Sequence, residues 1–446
     1  MHREPNFLEN LRGELSNGRL WLDRAVVLAY AVAAGLCVVG FTLLSDWTFG
    51  LFQKLQQAQP WAIFVWTPAI TAGIVWLTRR HFPGAAGSGI PQVMAALDPA
   101  LPPEARGRFV SLRLTAAKIG LSSAGLLAGL SIGREGPSVQ VAAGVMQHAK
   151  RWLGPGSGIS AHALLVAGGA AGIAAAFNAP LAGVVFAIEE LSRKLESRSS
   201  GLIITGIVLA GLVAVSTFGN LSYFGVIRVP RLGWDALVPG LVVTLACGVL
   251  GGVFSRLLAA SLTGSADRVS RWRGAHPVRF AALGGLAIAV IGSVTGGATF
   301  GAGSHAVKDM LTGDYDLPAL YVTLKFVATW LTAWCGVPGG IFAPSLSIGA
   351  GVGHNVALLM GNGIAPALIA MGMAAFLAAV TQAPLTAFII VMEMVDGHAM
   401  VLSLMSAAML ASLVSRMLSQ PLYGSLSEFL VRPFVPARER GAGAPH

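Results

Sequence analysis

Apolar residues along the chain gather into long uninterrupted runs rather than into alternating or narrow helical stripes. The runs at 26–44, 61–77, 202–218, 237–261, 280–295 and 400–415 carry almost no charge. A bilayer core roughly 30 Å thick takes about 20 residues of α-helix to cross, so these runs predict spanning or nearly spanning helices. The short alternating segments of a transmembrane β-barrel do not recur. The pattern therefore predicts an all-α polytopic membrane protein.

Composition agrees. Charged residues make up 11% of the chain and hydrophobic ones 54%, against about 25% charged in ordinary soluble domains. The net charge of +10 is spread over short connectors: Arg79 and Arg80, Lys150 and Arg151, Arg193 and Lys194, "RVSRWRGAHPVR" and the tail "RPFVPARER". Such scatter fits loops biased to the cytoplasmic side and speaks against a nucleic-acid surface. Residues 1–20 mix acids and bases without an apolar core, which predicts a cytoplasmic amphipathic helix rather than a signal peptide. Cys37, Cys247 and Cys335 lie far apart in apolar surroundings and read as small buried hydrophobes. Neither they nor the scattered histidines have metal-ligand spacing, so no metal and no cofactor are expected.

The chain repeats itself. Residues 167–190, "AGGAAGIAAAFNAPLAGVVFAIEE", align without gaps to 371–394, "MGMAAFLAAVTQAPLTAFIIVMEM", at an offset of 204. The Ala-Pro-Leu triplets coincide, and Glu189 falls opposite Glu393. Upstream of each triplet is a G-x-x-x-P-S motif, Gly133–Ser138 and Gly340–Ser345. Two copies of one unit are expected: a first repeat over 21–218, a connector over 219–236, a second repeat over 237–431 and a cytoplasmic tail over 432–446. Tandem units in a membrane protein place a transport site at their interface, where broken helices meet.

Three stretches share G-x-x-x-P: "GSGIP" at 87–91, "GREGP" at 133–137 and "GIFAP" at 340–344. Glycine permits unusual torsions and proline suits the first helical turn. Each junction therefore predicts a helix N-terminus with free N–H groups and a positive dipole end, the elements of an anion site. No cluster of Arg and Lys converges on these loops, and there is no phosphate-cradling G-x-x-x-x-G-K. That favours a dehydrated monovalent anion held by partial charges, which can leave again.

At these residues the chain resembles the CLC family of chloride channels and chloride/proton exchangers, and most closely the bacterial exchangers. "GSGIP", "GREGP", "GGIFAP", "FNAPLAG…EE" and "PLY" stand in the family's order over roughly residues 20–430. The resemblance implies a CLC-type fold of two inverted-topology repeats with broken and re-entrant helices. It also implies a multi-pass homodimer in the cell membrane (the inner membrane of a Gram-negative bacterium) with one chloride and proton pathway per subunit. The filter loops would be Gly87, Ser88, Gly89, Ile90 and Pro91; Gly133, Arg134, Glu135, Gly136 and Pro137; and Gly340, Ile341, Phe342, Ala343 and Pro344. Chloride would be held by the hydroxyls of Ser88 and Tyr423 and the N–H groups of Ile341 and Phe342. Glu135 would be the external gate and proton-transfer group, and Glu190 the internal one. Lys118 matches a basic residue of exchanger relatives.

The residues make these roles physically reasonable. An ionised Glu135 is itself an anion and competes with chloride for the helix ends; a protonated one does not. Arg134 is expected to be a structural partner rather than an ion ligand. Glu190 has no acidic counterpart in the second repeat, where Met394 stands, as a proton path confined to one half would leave it. The sequence departs from the family at Gln92, where many relatives carry an acid, and at Ser138, a frequent threonine. Retention of Ser88 favours chloride over nitrate. Two other readings are a passive chloride channel of the same fold and an intramembrane hydrolase with Ser88 as nucleophile and His81 as base. The first lacks a need for Glu190, and no triad supports the second.

Overall fold

The computed structural model describes residues 18–154, 156–192, 200–219, 224, 236–264, 267–313, 317–318, 320–360 and 362–435. Most of the expected N-terminal helix, most of the 219–236 connector and the tail beyond residue 435 lie outside the described residues.

The described chain is helical. Its first half runs α1 (Gly18–Ala58), α2 (Ile63–His81), α3 (Ile90–Leu97), α4 (Leu112–Leu127), α5 (Glu135–His148), α6 (Ala161–Ala176), α7 (Pro180–Phe186) and α8 (Ser200–Phe218). Its second half runs α9 (Leu237–Thr263), α10 (Arg268–Ala275), α11 (Pro277–Val294), α12 (Ser304–Thr312), α13 (Tyr321–Cys335), α14 (Phe342–Met360), α15 (Ala365–Thr381), α16 (Pro384–Met394), α17 (Val401–Arg416) and α18 (Leu422–Val431). All six apolar runs coincide, to within one residue, with helices long and apolar enough to cross a bilayer. The protein is a multi-pass membrane protein. With 41 residues, α1 is about 60 Å long, twice a bilayer core, so it crosses at a steep tilt or projects beyond it.

The second half repeats the first helix by helix, α1 to α8 matching α9 and α11 to α17. Packing repeats as well: α6 lies against α1, α5 and α8, and α15 lies against α9, α14 and α17. These two central helices are rich in Ala and Gly and almost wholly apolar, and they are buried on every face. Small residues let backbones approach closely where lipid offers no hydrophobic drive. A Cβ on Gly168 of α6, for instance, would sit 2.7 Å from the Ala143 Cα of α5.

The halves are tied by a reciprocal pair of contacts. The Glu189 carboxylate accepts from the Leu385 and Thr386 N–H groups (3.0 and 2.6 Å) at the start of α16. The Glu393 carboxylate accepts from the Leu181 and Ala182 N–H groups (3.2 and 2.7 Å) at the start of α7. Each half thus caps the other's Ala-Pro-Leu helix, whose first N–H groups have no partner within the helix. The equivalence read from the sequence has a structural cause.

Candidate anion site

The three Gly-x-x-x-Pro loops meet. Gly133 and Gly340 exchange two backbone hydrogen bonds, each 2.8 Å, as an antiparallel bridge. The Gly339 N–H donates to the Gly87 carbonyl at 3.0 Å. Helices α3, α5 and α14 therefore begin side by side, and α18 packs against α3. Glycine is required where these starts touch. Gly89 has φ +106°, and a Cβ there would lie 2.8 Å from the Gly136 carbonyl.

Side chains hold down the carbonyls of the Ser88 loop. Lys118 Nζ donates to Ala85 O (2.9 Å) and Gly87 O (2.5 Å). Gln92 Nε2 takes Ala86 O at 2.5 Å, and Gln140 Nε2 takes Gly84 O at 2.9 Å. Where relatives place an acid, Gln92 thus secures the loop by hydrogen bonding. With the carbonyls of residues 84–87 occupied, the loop has fewer acceptors to repel an anion.

Two hydroxyls converge there without other partners. Ser88 Oγ packs on Gly136 at the start of α5. Tyr423 Oη, on a side chain 1% exposed, and Ser88 Oγ face each other at the margin of hydrogen bonding, and neither has another hydrogen-bond partner. The Phe342 ring lies 5.9 Å from that of Tyr423 and 6.3 Å from that of Phe177, closing the apolar side. Ile341 and Phe342 are buried at the start of α14, where N–H groups lack intrahelical acceptors. A dehydrated anion would satisfy orphan donors of this kind.

Glu135 opens α5 and is 2% exposed. Its carboxylate folds back over Gly133, beside Ala343 in the first turn of α14, whose backbone N–H it faces as an electrostatic partner. Oε2 has no hydrogen-bond partner. Arg134 and Glu135 line a cavity of about 1420 Å³ that is also walled by Thr42, Asp46, Lys308 and Asp309. Arg134 forms an ion pair with Asp46 and donates to the Thr42 carbonyl of α1. The guanidinium is thereby committed to α1.

Glu190 lies in a π turn, Ala187–Leu191, that extends α7. Both Glu190 and Glu135 lie within electrostatic range of the Tyr423 hydroxyl. His81 is exposed and stacks near Trp76 and Phe82, while Ser88 Oγ has no partner, so no nucleophile–base pair exists at this serine.

The second half holds a counterpart of the Ser88 loop that the sequence motifs did not single out. Gly301 and Gly303 have φ +62° and +86°, as Gly87 and Gly89 have +70° and +106°. Buried Lys325 donates to Thr299 O (3.0 Å) and Gly301 O (2.8 Å), as Lys118 does in the first half. The available signal was a second lysine inside an apolar run, 207 positions after Lys118. At equivalent positions Ala302 replaces Ser88 and Phe342 replaces Glu135. The scaffold is duplicated, but the hydroxyl and the carboxylate are confined to the first half.

Comparison with known proteins places these features. The sequence profile described as "Voltage gated chloride channel" matches residues 69–416. The H(+)/Cl(-) exchange transporter ClcA of Cronobacter sakazakii is 31% identical, covering 89% of this chain and 87% of its own. ClcA of Citrobacter koseri is 29% identical, covering 93% and 91%. The crystal structure of a slow cyanobacterial Cl-/H+ antiporter superposes with a TM-score of 0.76 at 26% identity, covering 92% of this chain and 98% of that one.

Proposed function

The chain belongs to the voltage-gated chloride channel family, and within it we propose that this protein is a secondary active transporter exchanging chloride for protons. The observation that carries the reading is the position of Glu135. Its carboxylate lies beside Ala343 at the start of a broken helix, on the wall of an open cavity and within electrostatic reach of the buried Tyr423 hydroxyl.

A carboxylate in this position imitates the substrate. Ionised, Glu135 occupies the positive ends of α5 and α14 and blocks passage. Protonated, it no longer competes for those N–H groups, and a chloride takes its place. The central chloride is held by the Ser88 and Tyr423 hydroxyls and the Ile341 and Phe342 N–H groups. Chloride and proton occupancy are thereby linked at one site, which exchange requires. Glu190 passes protons between the cytoplasm and the region of Tyr423, and no cofactor takes part. Partial charges rather than a full cation hold the anion, so it can be released.

Glu189 and Glu393 support assembly as a homodimer. Both carboxylates are only half-buried, Glu189 in the π turn that extends the 7-residue α7 and Glu393 on the 11-residue α16, segments too short to span a bilayer. Facing lipid, such carboxylates are costly. A second copy laid over the exposed Leu181, Leu212, Leu385 and Leu413 would shield them. The membrane is the cell membrane, the inner one in a Gram-negative host.

Purified protein in liposomes tests the reading. With chloride inside and outside unequal, chloride flow down its gradient should drive protons uphill, in the direction opposite to chloride. Glu190→Gln should leave chloride movement and stop proton movement. Chloride flux without proton flux in the unmodified protein would make it a passive channel of the same fold.

A further inference from the structure

A groove on the outer face of the first half is built to take one lipid chain. Helices α2 and α4 leave between them a cleft of about 400 Å³ lined by Ile70, Gly73, Leu77, Phe82, Gly120 and Leu121, among other apolar residues. Gly73 and Gly120 are both exposed, and a Cβ on either would meet nothing within 4 Å. The missing side chains thus create the depth of the cleft rather than serving a close helix contact.

The two walls run antiparallel and end in cations at the same place. On α2 the lining positions 73, 74 and 77 continue on the same helical face to Arg80 and His81. On α4 the lining positions 124, 121 and 117 continue back to Arg113. The Arg113 guanidinium lies 5.2 Å over the Phe82 ring, which itself walls the cleft. Arg79 stands beside Arg273 of α10; burial, and then the like charge of Arg79, push the Arg273 guanidinium below its ordinary range. Among the described residues, none of Arg79, Arg80, Arg113 and Arg273 has an acidic partner within ion-pair distance. Four cations at one membrane edge, open to solvent or only half-buried and uncompensated, call for a negative charge that the chain does not supply.

We propose that this cleft binds an anionic phospholipid, with one acyl chain along Gly73 and Gly120 and the phosphate headgroup among Arg79, Arg80 and Arg113. Acyl chain and headgroup charge account together for features that neither explains alone. The site is independent of the transport reading, although it abuts the filter: Phe82 leads through Pro83–Ala85 into the Ser88 loop, and Lys118 joins α4 to that loop. Bound lipid would therefore bear on the loop's position.

The test is native mass spectrometry of the full-length protein released from vesicles containing equal phosphatidylglycerol and phosphatidylcholine. The unmodified protein should retain phosphatidylglycerol with about tenfold or greater preference, since each cation near an anionic surface contributes on the order of fivefold. The triple variant Arg79→Gln, Arg80→Gln, Arg113→Gln should lose the preference. Gly73→Leu with Gly120→Leu fills the cleft where nothing is displaced, and should lose the retained lipid with every arginine in place. Equal retention of the two lipids by the unmodified protein would overturn the proposal. So would a preference that survives the cleft-filling pair, which would mark surface charge alone. Chloride-dependent thermal stabilisation, measured alongside, verifies that each variant is folded.

Discussion

Removing the Ser88 and Tyr423 hydroxyls should have opposite consequences with and without chloride. Both oxygens are buried and have no hydrogen-bond partner beyond each other. A hydroxyl donating to a full charge contributes about 1.5–3 kcal/mol, so Ser88→Ala or Tyr423→Phe should weaken chloride binding roughly tenfold to 150-fold. In chloride-free buffer the same substitutions break at most the marginal contact between the two hydroxyls. They delete a polar atom whose burial is already unfavourable, so stability there should hold or rise by up to about 1–3 kcal/mol. Thermal melts in chloride and in gluconate separate the two effects, with calorimetry giving the affinity. Each tenfold loss of affinity removes about 1.4 kcal/mol of ligand-linked stabilisation at high chloride. Melting temperatures that fall equally in both buffers would refute the reasoning, because they would make the hydroxyls structural.

The duplicated lysines give a second contrast. Lys325→Met leaves two buried carbonyls unpaired, and Lys118→Met leaves one, since Gly87 O keeps the Gly339 N–H, at about 1–3 kcal/mol per carbonyl; only Lys118→Met should also weaken chloride binding, since Ala302 stands where the other loop would need Ser88. Equal effects on calorimetric affinity would contradict that assignment. Glu189→Gln and Glu393→Gln should lower thermal stability by similar amounts, about 1–3 kcal/mol each, without changing the proton-to-chloride ratio in liposomes. A changed ratio in either would place that carboxylate on the proton path. Asp46→Asn should loosen Arg134 and raise uncoupled chloride leak in the same flux assay, and an unchanged leak would show that the pair has no hold on the gate.

What the sequence revealed and what it hid follow from the range of the interactions. The spans are local facts, since bilayer thickness sets the length of an apolar run, and all six were readable. The repeat was readable because both halves must bury the same small-residue helix and cap the same Ala-Pro-Leu start. The loops could be identified because only glycine serves where Gly89 meets Gly136 and where Gly133 meets Gly340. Partners at long sequence separation left no local trace. Asp46 lies 88 residues from Arg134 and on a helix that reads only as apolar. The Gly301–Gly303 loop lacks the proline of its counterpart, so a motif built on Gly-x-x-x-Pro passes over it, although its backbone and its lysine are the same. Gln92 looked like a lost salt bridge; the amide instead secures the Ala86 carbonyl, a role legible only once the loop is folded.

The most direct measurement is the coupled flux of Glu135→Gln in liposomes. A glutamine approximates the protonated gate, so chloride should pass at all pH values while proton movement stops and the pH dependence of chloride flux flattens. Continued uphill proton pumping by that variant would contradict the central claim that one carboxylate stands in for chloride and carries its proton.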